Sequence, residues 1–220
     1  MINALFQYTF IQNALLASIL ASITCGIIGT IVVHKKLVMM SGGIAHTSFG
    51  GIGLGYLLGI EPIFGALFFS TAASIGMARI HKKSDTSSDV LMGMFWASGM
   101  ASGILFIAFS PGYPPDMSSY LFGDILTVTK TDIIIMTVLS AVIIFSVTSL
   151  FNYIKAYMFD EEFTSVLNIK TSVLEYLLLI FISLTIVILI RVVGIILIIS
   201  LLTTPPAIAR FFTFNLKKIM

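Results

Sequence analysis

The chain has 220 residues, of which 58% are hydrophobic and 10% charged, and its formal net charge is +2. A soluble domain carries about 25% charged residues, so this chain cannot build a water-facing surface, and its mean hydropathy of +1.07 indicates an integral membrane protein. The apolar runs are long and aliphatic, which predicts spanning helices instead of barrel strands. The small net charge suggests no nucleic-acid partner.

Seven apolar segments come near the roughly 20 residues that a helix needs to cross a bilayer. In chain order they are 10–33, 44–60, 63–80, 90–110, 133–154, 174–190 and 192–209. Only Arg191 separates the last two, so we expect a tight turn or a broken helix there. The predicted fold is therefore an all-α polytopic membrane helix bundle that forms a single domain over residues 1–220, with membrane lipid around it.

The basic residues predict the orientation of these spans. Ten of the 12 lysines and arginines fall on one side if the spans alternate: Lys35, Lys36, Arg79, Lys82, Lys83, Lys155, Lys170, Arg210, Lys217 and Lys218. Lys130 and Arg191 fall on the other side. Because positive loops stay in the cytoplasm, we expect the larger group to be cytoplasmic and the N-terminus to lie outside.

The second segment, MMSGGIAHTSFGGIGLGYLLG, combines one histidine with many glycines. Small residues at helical spacing form two stripes that would allow close packing of helix backbones. The first stripe is Thr47, Gly51, Gly55 and Gly59. The second stripe is Gly43, His46, Gly50 and Gly53. An ionisable side chain within a span suggests function. His46 is therefore a candidate for a metal pathway, near its cytoplasmic mouth; the alternative is a neutral histidine bonded to a nearby carbonyl.

The cytoplasmic loop 155–173 contains the sequence FDEEFTSVLNI, whose spacing predicts a short amphipathic helix. Its apolar side would carry Phe159, Phe163, Val166 and Leu167. Its first turn would carry Asp160, Glu161 and Glu162, where negative charge suits the helix dipole. A helix that lies on a membrane surface is usually basic, so this acidic and aromatic helix favours docking into a groove of a partner protein.

The last segment contains Pro205 and Pro206, which lack amide hydrogens and leave two carbonyls without their usual donors. This predicts a kink, with the hydroxyls of Thr203 and Thr204 beside it. Such oxygens suit a cation pathway, although the threonines could equally satisfy the helix itself. At the external end, Asp124 is the leading candidate carboxylate, among Glu61, Asp116 and Asp132. Its alternative role is a helix cap or loop hydrogen bond.

Four stretches, in this order, resemble the permease subunits of bacterial and archaeal ABC importers for zinc, manganese and iron. They are SGGIAHTSFGGIGLGYLLG, YLFGDIL at 120–126, FDEEFTSVLNI and VVGIILIISLLTTPPAIAR. The family's glycine-rich span usually reads GDALSHA. Here Gly42 stands at the aspartate position while His46 is kept, which leaves the identity of the metal open. Family members usually continue for about two more spans, so we expect a fragment or a short version.

The resemblance implies a homodimer in a prokaryotic plasma membrane, with a cytoplasmic ABC ATPase bound to each copy. It also implies an extracytoplasmic solute-binding protein that delivers the metal, and a coupling helix in the 155–173 loop. The chain itself would be no enzyme, because it lacks a phosphate-binding loop, and it would hold no permanent cofactor, only a transported divalent ion. The alternatives are an ATPase-independent secondary transporter or channel, an intramembrane hydrolase with His46 as base, and a purely structural subunit.

Overall fold

The computed structural model describes residues 8–83, 87–112 and 117–220, and within these ranges all regular structure is helical. We number the helices in chain order. They are α1 Thr9–His34, α2 Val38–Leu58, α3 Pro62–Lys83, α4 Ser88–Ala108, α5 Ser118–Phe122, α6 Lys130–Ser149, α7 Phe151–Phe159, α8 Glu161–Val166, α9 Thr171–Phe212 and α10 Leu216–Ile219, with a 3-10 turn over Ile125–Thr127. The predicted all-α class is confirmed.

Five of the helices are long and apolar enough to cross a membrane: α1, α3, α4, α6 and α9. Large apolar side chains such as Phe68 and Phe145 point out of the bundle, as expected for lipid contact. The glycine-rich α2 has 21 residues and packs between α3 and α4. With α2 added and α9 counted as two segments, the number of spans is consistent with the predicted seven.

Helix α9 is interrupted at Gly194, whose φ of 73° and ψ of 165° are not helical. A straight helix of its 42 residues would be about 60 Å long, roughly twice the bilayer core. Both ends of α9 instead lie at one end of the bundle: Ser172 bonds Lys82, and Pro206 packs on Gly29 of α1. The expected turn is therefore confirmed, and the chain reverses at Gly194.

A close contact between two glycine backbones holds this reversal. A methyl group on Gly194 would overlap the backbone nitrogen of Gly123, and one on Gly123 would overlap the carbonyl carbon of Val193. Both glycines have positive φ, which other residues rarely adopt. The backbone amide of Asp124 also donates to the carbonyl of Arg191 at 3.3 Å. The YLFGDIL stretch thus forms the surface on which α9 turns back.

The structure corrects the single helix predicted for FDEEFTSVLNI. Phe159 is the last residue of α7, and Asp160 has an extended backbone between α7 and α8. The Asp160 carboxylate accepts a hydrogen bond from the amide of Phe163 at 2.8 Å, so Asp160 caps α8 instead of lying in its first turn. The predicted fifth span is also divided, because α6 ends at Ser149 and α7 begins at Phe151.

Candidate functional site

One glycine stripe of α2 packs against α3. A methyl group on Gly51 would overlap the backbone carbonyl of Gly65, and one on Gly55 would lie 2.7 Å from the Cα of Pro62. No side chain fits between these two backbones. Gly59 has a different place: it ends α2 with a left-handed φ of 67°, and no atom lies within 4 Å of where its side chain would start.

The second stripe packs chiefly against α4. A methyl group on Gly50 would lie 3.0 Å from the carbonyl oxygen of Gly99, and one on Gly53 would lie 2.5 Å from that of Gly103. Gly43 faces the side chain of Met77, at 2.5 Å from its Cε. Close approach of helices through small residues is the usual packing of spans in lipid. Helix α2 is thereby held on two sides.

His46 lies in this packed region and is 8% exposed. Its ring stacks on Trp96 of α4, with the ring centroids 4.0 Å apart and the planes 7° from parallel. Its Nδ1 atom is buried and has no hydrogen-bond partner among the residues that the structure describes. A buried nitrogen without a partner calls for an explanation such as a bound water or ion. The contact with Trp96 could not be predicted from the sequence, since the two residues are fifty positions apart.

The neighbouring Thr47 fixes the backbone around His46. Its hydroxyl donates to the carbonyl of Gly43 at 2.7 Å and lies 3.0 Å from the carbonyl of Phe95 on α4. An imidazole held in this way suits a divalent first-row metal. No group of three or more His, Cys, Asp or Glu side chains arranged to hold a metal occurs in the described ranges. His46, as a candidate ligand, therefore belongs to no ready-made cluster of three such side chains in those ranges.

Among the described residues, the external carboxylates form no group of three that could hold a metal ion. The Asp124 carboxylate accepts a hydrogen bond from the amide of Leu126 at 3.1 Å and caps the 3-10 turn, which is the alternative role considered for it. Asp116 lies outside the described residues. A pathway role for Asp124 would require its carboxylate to leave this cap.

Asp132 and Arg191 instead form an ion pair at the external end, in which Asp132 is buried and Arg191 partly buried. The Asp132 Oδ1 atom lies 3.4 Å from the Arg191 Nε atom, and its Oδ2 accepts from the amide and hydroxyl of Thr129 at 2.9 and 2.8 Å. The guanidinium stacks 4.8 Å from the ring centre of Tyr120, whose hydroxyl is 3.2 Å from that of Tyr56. In the sequence, the only signal for this pair was that Asp132 and Arg191 carry opposite charges and both fall at the predicted external end of the spans.

The charge state of Tyr120 follows from this setting. Its pKa is raised, first by burial and then by its hydrogen bond to Tyr56, against the opposing effect of Arg191. The phenol therefore stays neutral, and its ring remains a partner for the guanidinium cation.

Pro205 and Pro206 lie inside α9, and the backbone there keeps helical dihedrals, since the interruption is at Gly194. The hydroxyl of Thr203 donates to the carbonyl of Ile199 at 2.8 Å, and that of Thr204 lies 3.4 Å from the Ser200 hydroxyl. Both threonines thus bond within their own helix in this conformation. A kink at the prolines and a pathway role for the threonines remain predictions.

Helix α8 presents an acidic and apolar surface at the cytoplasmic end. Phe163, Val166 and Leu167 are more than half exposed, and Glu162 is exposed beside them. Glu161 pairs with Lys35 at 2.8 Å. Exposed apolar side chains on a short helix outside the spans are typical of a protein contact.

Comparison with known proteins identifies the protein family of this chain. Residues 7–220 match the ABC 3 transport family. The chain belongs to this family. A manganese transport system membrane protein of Listeria monocytogenes is 31% identical over all of this chain and 78% of its own length. An uncharacterized membrane protein of Synechocystis is 40% identical with the same coverage, and a probable metal transport system membrane protein of Chlamydia pneumoniae is 34% identical over 98% of this chain and 75% of its own length.

A solved structure agrees with the ABC 3 assignment. PsaBC from Streptococcus pneumoniae, determined in complex with a Fab, superposes with a TM-score of 0.88 at 30% identity and covers 99% of this chain and 78% of the solved one. A metal-chelate type ABC transporter in an inward-facing conformation has a TM-score of 0.71 at 15% identity, which supports the fold alone.

Proposed function

We propose that this chain is the membrane-spanning permease subunit of an ABC importer that moves a divalent metal ion into the cytoplasm. Membership of the ABC 3 transport family over residues 7–220 carries the proposal. A relative named for manganese transport matches the whole chain, so manganese is the first metal to test, with zinc and iron beside it. The metal is the cargo, and no resident cofactor is proposed.

The energy source in this proposal is a separate ATPase chain on the cytoplasmic side. The sequence contains no phosphate-binding loop, so this subunit would be no enzyme. The exposed apolar residues of α8, preceded by Glu161 and Glu162, form the proposed docking surface. A homodimer of the permease and an external solute-binding protein complete the proposed assembly.

His46 is the proposed metal ligand within the membrane, because its Nδ1 atom is buried and has no hydrogen-bond partner among the described residues. A second copy of the chain, water or a moving side chain would supply the other ligands. A site that one copy of the chain leaves incomplete fits transport, since a complete and tight site would trap the ion. Asp124, Thr203 and Thr204 are secondary candidates, because each already has a hydrogen-bond partner within its own turn or helix.

The proposal is tested by uptake into proteoliposomes that contain the chain, its candidate ATPase and its binding protein. Manganese, zinc and iron uptake is measured with and without ATP, for the native chain and for Phe163→Asp. The matched control is Phe214→Asp, since Phe214 is also highly exposed but lies beyond α9. We expect ATP-dependent uptake of one metal, loss of it in Phe163→Asp, and retention in the control. Equal uptake without the ATPase would instead establish a channel or secondary transporter.

A further inference from the structure

The short turn between α1 and α2 is held by residues that lead into α8. The Lys35 Nζ atom lies 2.8 Å from the Glu161 Oε2 atom and 3.8 Å from the ring centre of Tyr157. The Lys35 side chain is 17% exposed and that of Glu161 is 50% exposed. One lysine thus contacts both α7 and α8, with a carboxylate on one side and an aromatic ring on the other.

The preceding residue makes a parallel contact. The rings of His34 and Phe159 meet edge to face, with their centroids 5.2 Å apart. Two consecutive residues at the end of α1 therefore touch the last turn of α7 and the first turn of α8. Contacts at two neighbouring positions resist rotation as well as separation, which a single surface ion pair does not.

The turn itself is short. Three residues separate His34 from the start of α2 at Val38, and Lys36 has a left-handed φ of 57°. Helix α2 then continues through the glycine contacts to His46, eight residues beyond its first residue. A displacement of Lys35 would therefore move the start of the helix that carries the proposed metal ligand.

There is room for such a displacement. A cavity of about 430 Å³ lies beside the pair and is lined by Lys35, Tyr157, Glu161, His81 and Glu175, among others. The Nδ1 atom of His81 is 3.7 Å from a carboxylate oxygen of Glu175. The cavity is open to solvent, since Glu161 and His81 are about half exposed, so α8 is not packed tightly against α3 and α9 on this side.

The charge state of Tyr157 supports its place in this contact. Burial raises the pKa of its phenol, and the carboxylates of Glu161 and Glu175 raise it further. The group therefore remains neutral, and its ring can hold the lysine ammonium by a cation–π contact.

We infer that Lys35 is a positioning residue that transmits movement of α8 to α2, through its ion pair with Glu161 and its contact with Tyr157. The inference rests on the proposed function, because only a permease driven by an ATPase needs such a connection. Lys35 belongs neither to the proposed metal ligands nor to the proposed docking surface. Its removal should therefore separate ATP hydrolysis from metal movement while the complex stays assembled.

The test exchanges the two charges. Lys35→Glu, Glu161→Lys and the double exchange are reconstituted with the ATPase and binding protein, and metal uptake is measured per ATP hydrolysed. We expect each single variant to lower this ratio about tenfold, within the usual range of coupling between sites. The double exchange should restore most of the ratio, and Lys35→Arg should keep it. A merely structural role would not move this ratio while ATP hydrolysis persists.

Lys36→Glu is the matched control, because it makes the same charge change as Lys35→Glu at the next, exposed residue without breaking the Lys35 pair or touching the docking surface. Co-purification of the ATPase with each variant separates docking from transmission. Unchanged uptake per ATP in both single variants, or a double exchange as poor as the singles, would overturn the inference. A native chain without ATP-dependent uptake would instead overturn the proposed function.

Discussion

Two ion pairs that involve Lys or Arg lie at opposite ends of the helix bundle, and they differ in burial. At the external end the Asp132 and Arg191 side chains are 2% and 17% exposed. At the cytoplasmic end Lys35 and Glu161 are 17% and 50% exposed. The external pair also has Tyr120 stacked on it and Thr129 bonded to its carboxylate, whereas water reaches half of Glu161.

This difference bears on which end can move. Separating a buried pair leaves a charge without water or partner, which is strongly unfavourable. An exposed pair exchanges its partner for water at little cost. We therefore expect the external end to stay closed around Arg191 and Gly194 unless a ligand or partner opens it. The cytoplasmic end, where half of the Glu161 side chain is exposed, should shift at lower cost.

The largest effect should come from Gly194→Ala at the external turn. A methyl group there overlaps the backbone of residues 121–123, and the φ and ψ of Gly194 lie in a region that is essentially open to glycine alone. We expect loss of most folded protein, measured by size-exclusion chromatography in detergent. Gly93→Ala is the control, since no atom lies within 4 Å of its position, and it should leave the yield unchanged. Normal yield of Gly194→Ala would mean that the turn is not rigid.

Arg191→Leu should have the next largest effect. It leaves the Asp132 carboxylate buried without its cation, which typically costs about 3–5 kcal/mol. We expect that loss in the free energy of unfolding, measured by denaturant titration in mixed detergent. The double variant Arg191→Leu/Asp132→Asn should recover much of it, because the amide oxygen can still cap α6 without a charge. No recovery would show that Arg191 acts through packing on Tyr120.

The sequence predicted the spans well, because their apolar length is a strong local signal. It also predicted close packing for α2, where glycines recur at helical spacing and meet Gly65, Gly99 and Gly103. The turn within 174–209 could be expected from length alone. Its position at Gly194 could not, because this depends on the distant Gly123.

The candidate site was less predictable, since its key contacts join residues far apart in the chain. His46 stands out as an ionisable residue in a span, but its stacking on Trp96 depends on the packing of α2 against α4. FDEEFTSVLNI has helical spacing throughout, yet the side chain of Asp160 caps α8 and starts a separate helix. Local pattern thus indicated the residues, and tertiary packing decided their partners.

His46→Ala should reduce metal uptake far more than it reduces the free energy of unfolding. This result would show that a residue between the external and cytoplasmic ion pairs acts in transport. The lost stacking with Trp96 is worth about 1 kcal/mol in the free energy of unfolding. Metal uptake should fall by about tenfold or more, because the proposed ligand is gone. Trp96→Leu removes the same stacking and keeps the imidazole, so it should retain more uptake than His46→Ala. Equal losses in the two variants would assign His46 a packing role.

The smallest change in stability should come from Lys35→Ala at the cytoplasmic end. The half-exposed Glu161 regains water when its partner is removed, so we expect the free energy of unfolding to fall by less than about 1 kcal/mol. The same titration used for Arg191→Leu measures this, at low and high salt, and the effect should shrink further as salt screens the pair. A loss as large as that of Arg191→Leu would contradict the contrast between the ends, because the cytoplasmic contact would then be as fixed as the external one. A small loss together with impaired uptake would show that this contact serves movement more than folding.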